Sequence, residues 1–299
     1  MKRKTKKSRV GLFIALLFFL ILVILFVILL KPFDKKTTGK SQVSGNSPVK
    51  VDPSKSAGII SSSSVVASDH AEKVENTGDA TWVQVHSKGK GEKFQDISTD
   101  NIKIYKAHNP QVLKTATSKH PALAILPDVM AQYPDALIMN ASGFNMETGD
   151  ITGFQINNGA LFTNWGENKR AHEAFIINKD GSMTTYDSST PASQILANGA
   201  EQSYSFGKIL IKKGKVQEND GSVNWMIHSF IGNDKQNNLY LMISETNAGY
   251  ENIMDQIKNL NLANLVLMDG GGSSQMGLNG QTIVPSQDNR QVGDFIVLK

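Results

Sequence analysis

An α+β fold, with mostly antiparallel sheets and a few packed helices, is predicted from three observations. From Thr81 onward most apolar residues recur with a period of two, as in half-buried strands. Three pairs of such runs are joined by short turns ending in glycine, which read as hairpins. Only two segments read clearly as helices, one from its start and stop signals and one from its apolar face. Ahead of this region, a 20-residue apolar run and a polar, serine-rich stretch predict one transmembrane helix followed by a flexible linker.

The N-terminal expectations come first along the chain. Residues 1–10 form a basic segment on the cytoplasmic side, with six Lys/Arg. Residues 11–30 (Gly11 to Leu30) hold no Pro and no charge, and at ~1.5 Å per residue they cross a hydrocarbon core about 30 Å thick. Lys31-Pro32 ends the run without a small-x-small site, so it reads as a signal anchor rather than a cleaved peptide. Lys31, Lys35, Lys36 and Lys40 follow it; the balance of charge still favours the N-terminus inside and the C-terminal domain outside. The expected location is the cell membrane, single-pass, with an extracellular C-terminal domain. Residues 31–79, with Ser61-Ser62-Ser63-Ser64 at their centre, read as an extracellular linker whose use is reach. A bacterial exported enzyme without disulfides fits the zero cysteine count, and so does a cytosolic protein.

The formal charge of +4 belongs to the N-terminus. Residues 1–40 carry ten Lys/Arg and one Asp, and the remainder carries 21 basic and 26 acidic residues. A nucleic-acid partner, which needs a basic face on the domain itself, is therefore not expected.

The domain spans 80–299. Trp82-Val83-Gln84-Val85 and Asn101-Ile102-Lys103-Ile104-Tyr105 alternate like strands. His120 to Tyr133 reads as a short helix or a broken pair, with Pro127 interrupting. Ala136-Leu137-Ile138-Met139-Asn140 is a buried strand. The hairpins are Phe154-Gln155-Ile156 with Ala160-Leu161-Phe162 around Asn157-Asn158-Gly159, then 174–177 with 182–186, then 208–211 with 215–216. One helix is Pro191 to Gly199, with Thr190 as cap and glycine after its end. The other is Glu251 to Leu260, with Ile253, Ile257 and Leu260 on one face and Met254 beside them. It leads into a strand at Leu265-Val266-Leu267-Met268. No repeat of fixed period occurs.

Four stretches could carry chemistry. Asp269-Gly270-Gly271-Gly272-Ser273-Ser274 follows a strand. Its glycines would let backbone N–H groups converge on an anion, with Ser273 and Ser274 adding hydroxyls; a loose turn reads equally well. Asp269 could hold a metal ion, orient a sugar hydroxyl or cap the turn. Asn140 to Asn145 ends a strand in amides around Gly143-Phe144, suited to sugar hydroxyls and a sugar face, or else to a turn with a core phenylalanine. His228 enters a strand amid apolar residues; the other five histidines show no ligand spacing. Glu245 ends the strand 239–243, placed for a site or for capping the next helix. There is no G-x-S-x-G elbow, no cysteine nucleophile and no Walker loop.

The order of these pieces resembles the phosphodiester glycosidase domain family, the family of the "uncovering" enzyme. It runs Asn140-Ala141-Ser142-Gly143-Phe144, the Ile156-Asn157-Asn158-Gly159 hairpin, Ser205-Phe206-Gly207-Lys208-Ile209-Leu210-Ile211, strand–helix–strand, Asp269 to Ser274, then Val284-Pro285 and Arg290-Gln291-Val292. It covers roughly residues 95–299. The resemblance implies cleavage of a sugar-1-phosphodiester at the anomeric carbon. It assigns Asp269, Glu245 and His228 to catalysis, and Asn140, Phe144 and Asn157 to the sugar side. Gly270, Gly271, Gly272, Ser273, Ser274 and Arg290 would complete the substrate contacts. Where the family has Pro-Arg-Thr before Ile-Gly, this chain has Ile227-His228-Ser229. A phosphate-pairing arginine thus becomes His228, with Arg290 as the compensating cation. Where the family has Asp-Gly-Arg, this chain has Ser244-Glu245-Thr246. No cofactor is required by these residues; a divalent cation at Asp269 stays open, without a full ligand set.

The function expected is a membrane-anchored extracellular hydrolase acting on sugar-1-phosphodiester bonds in cell-envelope glycans such as teichoic acid or exopolysaccharide. A non-catalytic envelope-glycan-binding module on the same scaffold is the second reading.

Overall fold

The computed structural model describes residues 81–114, 123–224, 226–245 and 248–299. The expected basic segment, membrane span and linker lie outside the described residues, as do Trp225, Thr246 and Asn247. Among the described residues no helix is long and apolar enough to cross a membrane.

In chain order the strands are β1 (Trp82–Gln84), β2 (Phe94–Asp96), β3 (Ile102–Ala107), β4 (Gln111–Leu113), β5 (Leu137–Asn140), β6 (Gln155–Asn157), β7 (Ala160–Thr163), β8 (Glu173–Asn178) and β9 (Met183–Asp187). They continue with β10 (Ala200–Ser205), β11 (Ile209–Lys212), β12 (Lys215–Val216), β13 (Ser229–Asp234), β14 (Leu239–Ser244), β15 (Leu262–Leu267), β16 (Met276–Leu278), β17 (Gln281–Val284) and β18 (Phe295–Leu298). The helices are α1 (Leu126–Gln132), α2 (Ala192–Ala197) and α3 (Tyr250–Ile257).

Every ladder between these strands is antiparallel. A seven-stranded sheet runs β12-β11-β15-β13-β14-β3-β2, and a six-stranded sheet runs β1-β4-β18-β5-β16-β17. A three-stranded sheet, β10-β8-β9, and the hairpin β6-β7 complete the set. One core joins the sheets: Leu241, Ile243 and Val266 of the seven-stranded sheet meet Leu137, Met139 and Ile296 of the six-stranded one and Phe175 and Tyr204 of the third.

The long apolar strand runs follow from burial on both faces. β14 sends Leu239, Leu241 and Ile243 into the shared core and Tyr240 and Met242 to the far face. There Ile253 and Ile257 of α3 cover them. β5 likewise sends Ile138 outward against Val129 and Met130 of α1.

The three predicted hairpins are present as β6-β7, β8-β9 and β11-β12. Asn158 and Gly159 take the positive φ angles, 49° and 71°, that a two-residue hairpin turn requires. Two local expectations change. Pro127 does not interrupt a helix but sits in the first turn of α1, where its missing N–H costs nothing. Thr190 does not cap α2: the N-cap is Pro191, with no side-chain cap. The Thr190 carbonyl instead accepts the Trp165 indole N–H at 2.9 Å, because Trp165 is held there by stacking on Phe154.

Candidate active site

β13 runs antiparallel to both β14 and β15, with Ser229 opposite Ile243 and Phe230 opposite Leu267. The start of β13 therefore meets the ends of the other two. This register, not sequence proximity, brings His228, Ser244 and Asp269 to one end of the sheet. The His228 N–H donates to Ser244 Oγ at 3.0 Å, and the Ser244 N–H donates back to the His228 carbonyl at 2.8 Å.

From there the chain crosses to β16 in the six-stranded sheet. Asn140, the last residue of β5, fastens this crossing. Its Nδ2 donates to the Asp269 carbonyl at 2.7 Å, while its Oδ1 accepts from Ser229 Oγ at 2.9 Å and from the Gln275 N–H at 3.1 Å. Asn140 is buried and its amide is used internally, so it shapes the loop that carries Asp269 rather than reaching a ligand.

The three glycines have three different reasons. A Cβ on Gly270 would stand 2.7 Å from the backbone oxygen of Ile227. Gly271 has φ of +61°. Gly272 lies under the Arg290 guanidinium, 2.7 Å from where its Cβ would be. The expected anion nest is not formed, because most loop amides have acceptors within the protein. Gly270 N–H donates to Asp269 Oδ1 at 3.1 Å and Gly271 N–H to the Ile227 carbonyl at 2.8 Å. Ser273 and Ser274 N–H groups donate to Gly270 and Gly271 carbonyls at 3.3 and 3.1 Å. The Ser274 hydroxyl is buried against Ser229, and the Ser273 hydroxyl hydrogen-bonds the Asp269 carboxylate. The loop is built to hold Asp269.

Beside it opens a cavity of about 500 Å³. Asp269, Gly270, Gly271 and His228 line one side. Phe206, Gly207 and Lys208, Lys169 and Arg170, and Asp220 to Ser222 line the rest, with Asn224 and Met226 at the edge. The Phe206 ring lies over Gly143, in the space a Cβ there would occupy. It is this aromatic that faces the cavity.

Two carboxylates in the lining are driven apart. Burial pushes the Asp269 carboxyl above its ordinary range, against the opposing pull of Ser273, the Gly270 N–H and Arg290. Burial also pushes on Asp220, but the Ser222 hydroxyl and N–H and the Lys208 ammonium, 3.9 Å away, outweigh it and hold Asp220 below its ordinary range. The two shifts run in opposite directions, with burial decisive at Asp269 and hydrogen bonding with the Lys208 charge decisive at Asp220. Burial lowers the pKa of His228, so its ring is neutral. The Asn224 N–H donates to its Nε2 at 3.2 Å, which assigns the ring proton to Nδ1. Nδ1 faces Gly270, 3.4 Å from where a Cβ would stand.

Several expected site residues lie elsewhere. Phe144 packs against Gly293 and the outer core of the six-stranded sheet, with Val292 and Phe295. Asn157 is buried and accepts from the Gln202 amide at 2.6 Å. Glu245 is exposed, outside the cavity lining; its backbone N–H is bonded to the Asn101 carbonyl at 2.7 Å. Arg290 pairs with Asp288 at 2.7 Å and covers Gly272 without lining the cavity. Sequence reasoning missed Asp220, Lys169 and Arg170, which sit in polar loops with no pattern to mark them. Phe206 stood in the open, in Ser205-Phe206-Gly207-Lys208, and was read only as one piece of the ordered series, with no role of its own. Among the described residues no three His, Asp or Glu side chains group as a metal site.

Residues 135–299, more than half of the chain, match the model of a family described as phosphodiester glycosidase. The fold is similar to that of the zebrafish N-acetylglucosamine-1-phosphodiester alpha-N-acetylglucosaminidase catalytic domain, auto-inhibited by its pro-peptide. That match has a TM-score of 0.54 and 18% identity, and covers 78% of this chain and 93% of that one. A hypothetical protein from Synechocystis matches with a TM-score of 0.45 and 13% identity over 69% of this chain and 63% of that one. No curated protein sequence matches the chain.

Proposed function

The chain belongs to the phosphodiester glycosidase family, and from that premise we propose that it hydrolyses the bond between an anomeric carbon and phosphate in a sugar-1-phosphodiester. The observation that carries this is one cavity lined by two carboxylates of opposite tendency, Asp269 and Asp220. A phosphate monoester is a good leaving group, so departure needs little proton donation; the demand falls on the carbon and on water. Asp220, ionised, is suited to stabilising positive charge at the anomeric carbon. Asp269, in its carboxylate form, is suited to taking the proton of the attacking water. The neutral His228 offers its Nδ1–H as a donor, and Phe206 and Met226 offer an apolar face to the sugar ring. The sugar in the zebrafish enzyme's name, N-acetylglucosamine, is the first to try.

The place of action follows from the apolar run 11–30. We place the domain outside the membrane, held by that anchor and the 31–79 linker, with cell-envelope glycans such as teichoic acid or exopolysaccharide as substrate.

Release of free sugar from N-acetylglucosamine-1-phosphodiesters and from envelope polymers, measured with the purified full chain in detergent, tests this. Asp269→Asn is expected to lower release about 10²–10³-fold. No release from any such substrate by the folded wild type, with glycan binding equal in Asp269→Asn, would replace the enzyme with a non-catalytic glycan-binding module.

A further inference from the structure

We propose that Arg170, with Lys169 beside it, forms the phosphate-facing wall of the cavity, so that the anionic half of the substrate lies at the 169–171 turn and the sugar at Asp269. This deepens the hydrolase reading and rests on it.

Few positive groups around the cavity are free to meet an anion. The Gly270, Gly271, Ser273 and Ser274 N–H groups are bonded within the protein. His228 is neutral. Arg290 is held by Asp288 at 2.7 Å and does not line the cavity. Lys208 does line it, but its ammonium is 2.5 Å from Glu173 and 3.9 Å from Asp220. Lys169 and Arg170 line the same cavity, and among the described residues neither pairs with a carboxylate. The charge that His228 does not supply is therefore present on another wall.

That wall is anchored although its two side chains are exposed. Residues 169–171 form a single 3₁₀ turn whose buried member is Ala171. Asn168 caps it, its Oδ1 accepting the Arg170 N–H at 3.1 Å. Just before it, Trp165 stacks on Phe154 with ring centroids 4.0 Å apart. Just after it, the His172 ring bonds the Gly166 carbonyl at 2.7 Å. The Arg170 carbonyl accepts the Gly207 N–H at 2.5 Å. Gly207, at φ +125°, is pressed on the end of β15, where a Cβ would stand 2.7 Å from the Leu267 oxygen. Leu267 is two residues from Asp269. The cationic turn is thus tied through two contacts to the strand that delivers the carboxylate. A guanidinium carried on a fixed backbone suits the bidentate geometry of a phosphate, which an ammonium meets only as a point charge.

The expected consequence is selectivity for charged substrates. Charge-assisted hydrogen bonds of this kind correspond to about 10–100-fold in binding. In Arg170→Ala the ratio of kcat/KM for a sugar-1-phosphodiester over that for an uncharged aryl glycoside should fall by about that factor. The loss should appear in KM more than in kcat, and Arg170→Lys should recover part of it. Lys169→Ala should give a smaller fall. Both side chains are exposed, so melting temperatures should match wild type. An unchanged ratio in Arg170→Ala, with wild type active on the diester, would overturn this inference and leave the hydrolase reading standing. Titration of inorganic phosphate into the full-length protein is independent of turnover. Binding weakened about tenfold or more in Arg170→Ala supports the wall, even where wild type shows no hydrolysis and the hydrolase reading has failed. Equal phosphate binding in wild type and Arg170→Ala would overturn it.

Discussion

His228 stands where a charged arginine was expected, yet the structure makes it neither a cation nor a base. Its Nε2 accepts the Asn224 N–H, and burial disfavours the imidazolium, leaving one N–H at Nδ1 on the Gly270 side. Asparagine can set an amide N–H close to the Nδ1 position; glutamine reaches towards Nε2 instead. His228→Asn should therefore keep more of the hydrolase activity than His228→Gln. His228→Ala should lose about 10–100-fold, the scale of one oriented donor. Equal losses in the three variants, read from steady-state kcat/KM, would rule out the Nδ1–H role. At this scale the sequence was half legible. Asp269 could be found because an apolar strand run ends on it. Phe144 and Asn157 were misplaced because aromatic and amide residues at strand ends read alike whether they face a cavity or a core. Asp220 and Arg170 gave no signal, since what distinguishes them is the cavity they share.

The glycine-rich crossing between β15 and β16 shows why an element can be visible without its purpose being so. Three consecutive glycines suggested a nest of free amides. The structure gives the Gly270 and Gly271 amides internal acceptors and uses the missing side chains for close approach. Gly270→Ala is the direct test, because its Cβ would meet the backbone oxygen of Ile227 at 2.7 Å and backbone cannot swing away as a side chain can. The expected cost is about 1–3 kcal/mol of stability by thermal or denaturant unfolding. Activity should fall further than stability, since the displaced residue adjoins Asp269. Gly272→Ala should be milder, because the Arg290 guanidinium above it can move. Legibility of the other elements followed local chemistry in the same way. Hairpins with Asn-Gly or Lys-Gly turns were readable from sequence, because the turn demands those residues. β10, Ala200 to Ser205, was not, because Glu201, Gln202, Ser203 and Ser205 look like a surface loop. Polar partners meet three of them there: Lys114 pairs with Glu201, Gln202 donates to Asn157, and Ser203 accepts the Ile156 N–H.

At the scale of the whole molecule, the sheets meet the site end at one buried carboxyl. Asp294 precedes β18 and is almost fully buried. Its Oδ2 accepts the Ser142 N–H at 3.2 Å, and its carbonyl accepts the Ala141 N–H at 3.1 Å. The Ala141 carbonyl in turn accepts the Asp269 N–H at 3.0 Å, so this junction supports the loop that carries Asp269. Oδ1 accepts no hydrogen bond. Burial pushes the Asp294 carboxyl up to about 7, with Ser142 pulling weakly the other way. The folded pKa thus exceeds that of the unfolded chain, near 3.8. The folded state then holds the proton over a range where the unfolded state has released it. The stability this group contributes is complete below about pH 4, is drawn down as the pH rises towards 7, and is gone above that. Asp294→Asn replaces the acid with a neutral group of similar shape, whose oxygen can still accept from Ser142. Its melting temperature relative to wild type should therefore rise steadily between pH 4 and 7 and level off beyond. A difference that stays flat across that range would mean the carboxyl is ionised in the fold throughout. The site should follow the same junction, with wild-type activity at pH 8 more sensitive to temperature than that of Asp294→Asn.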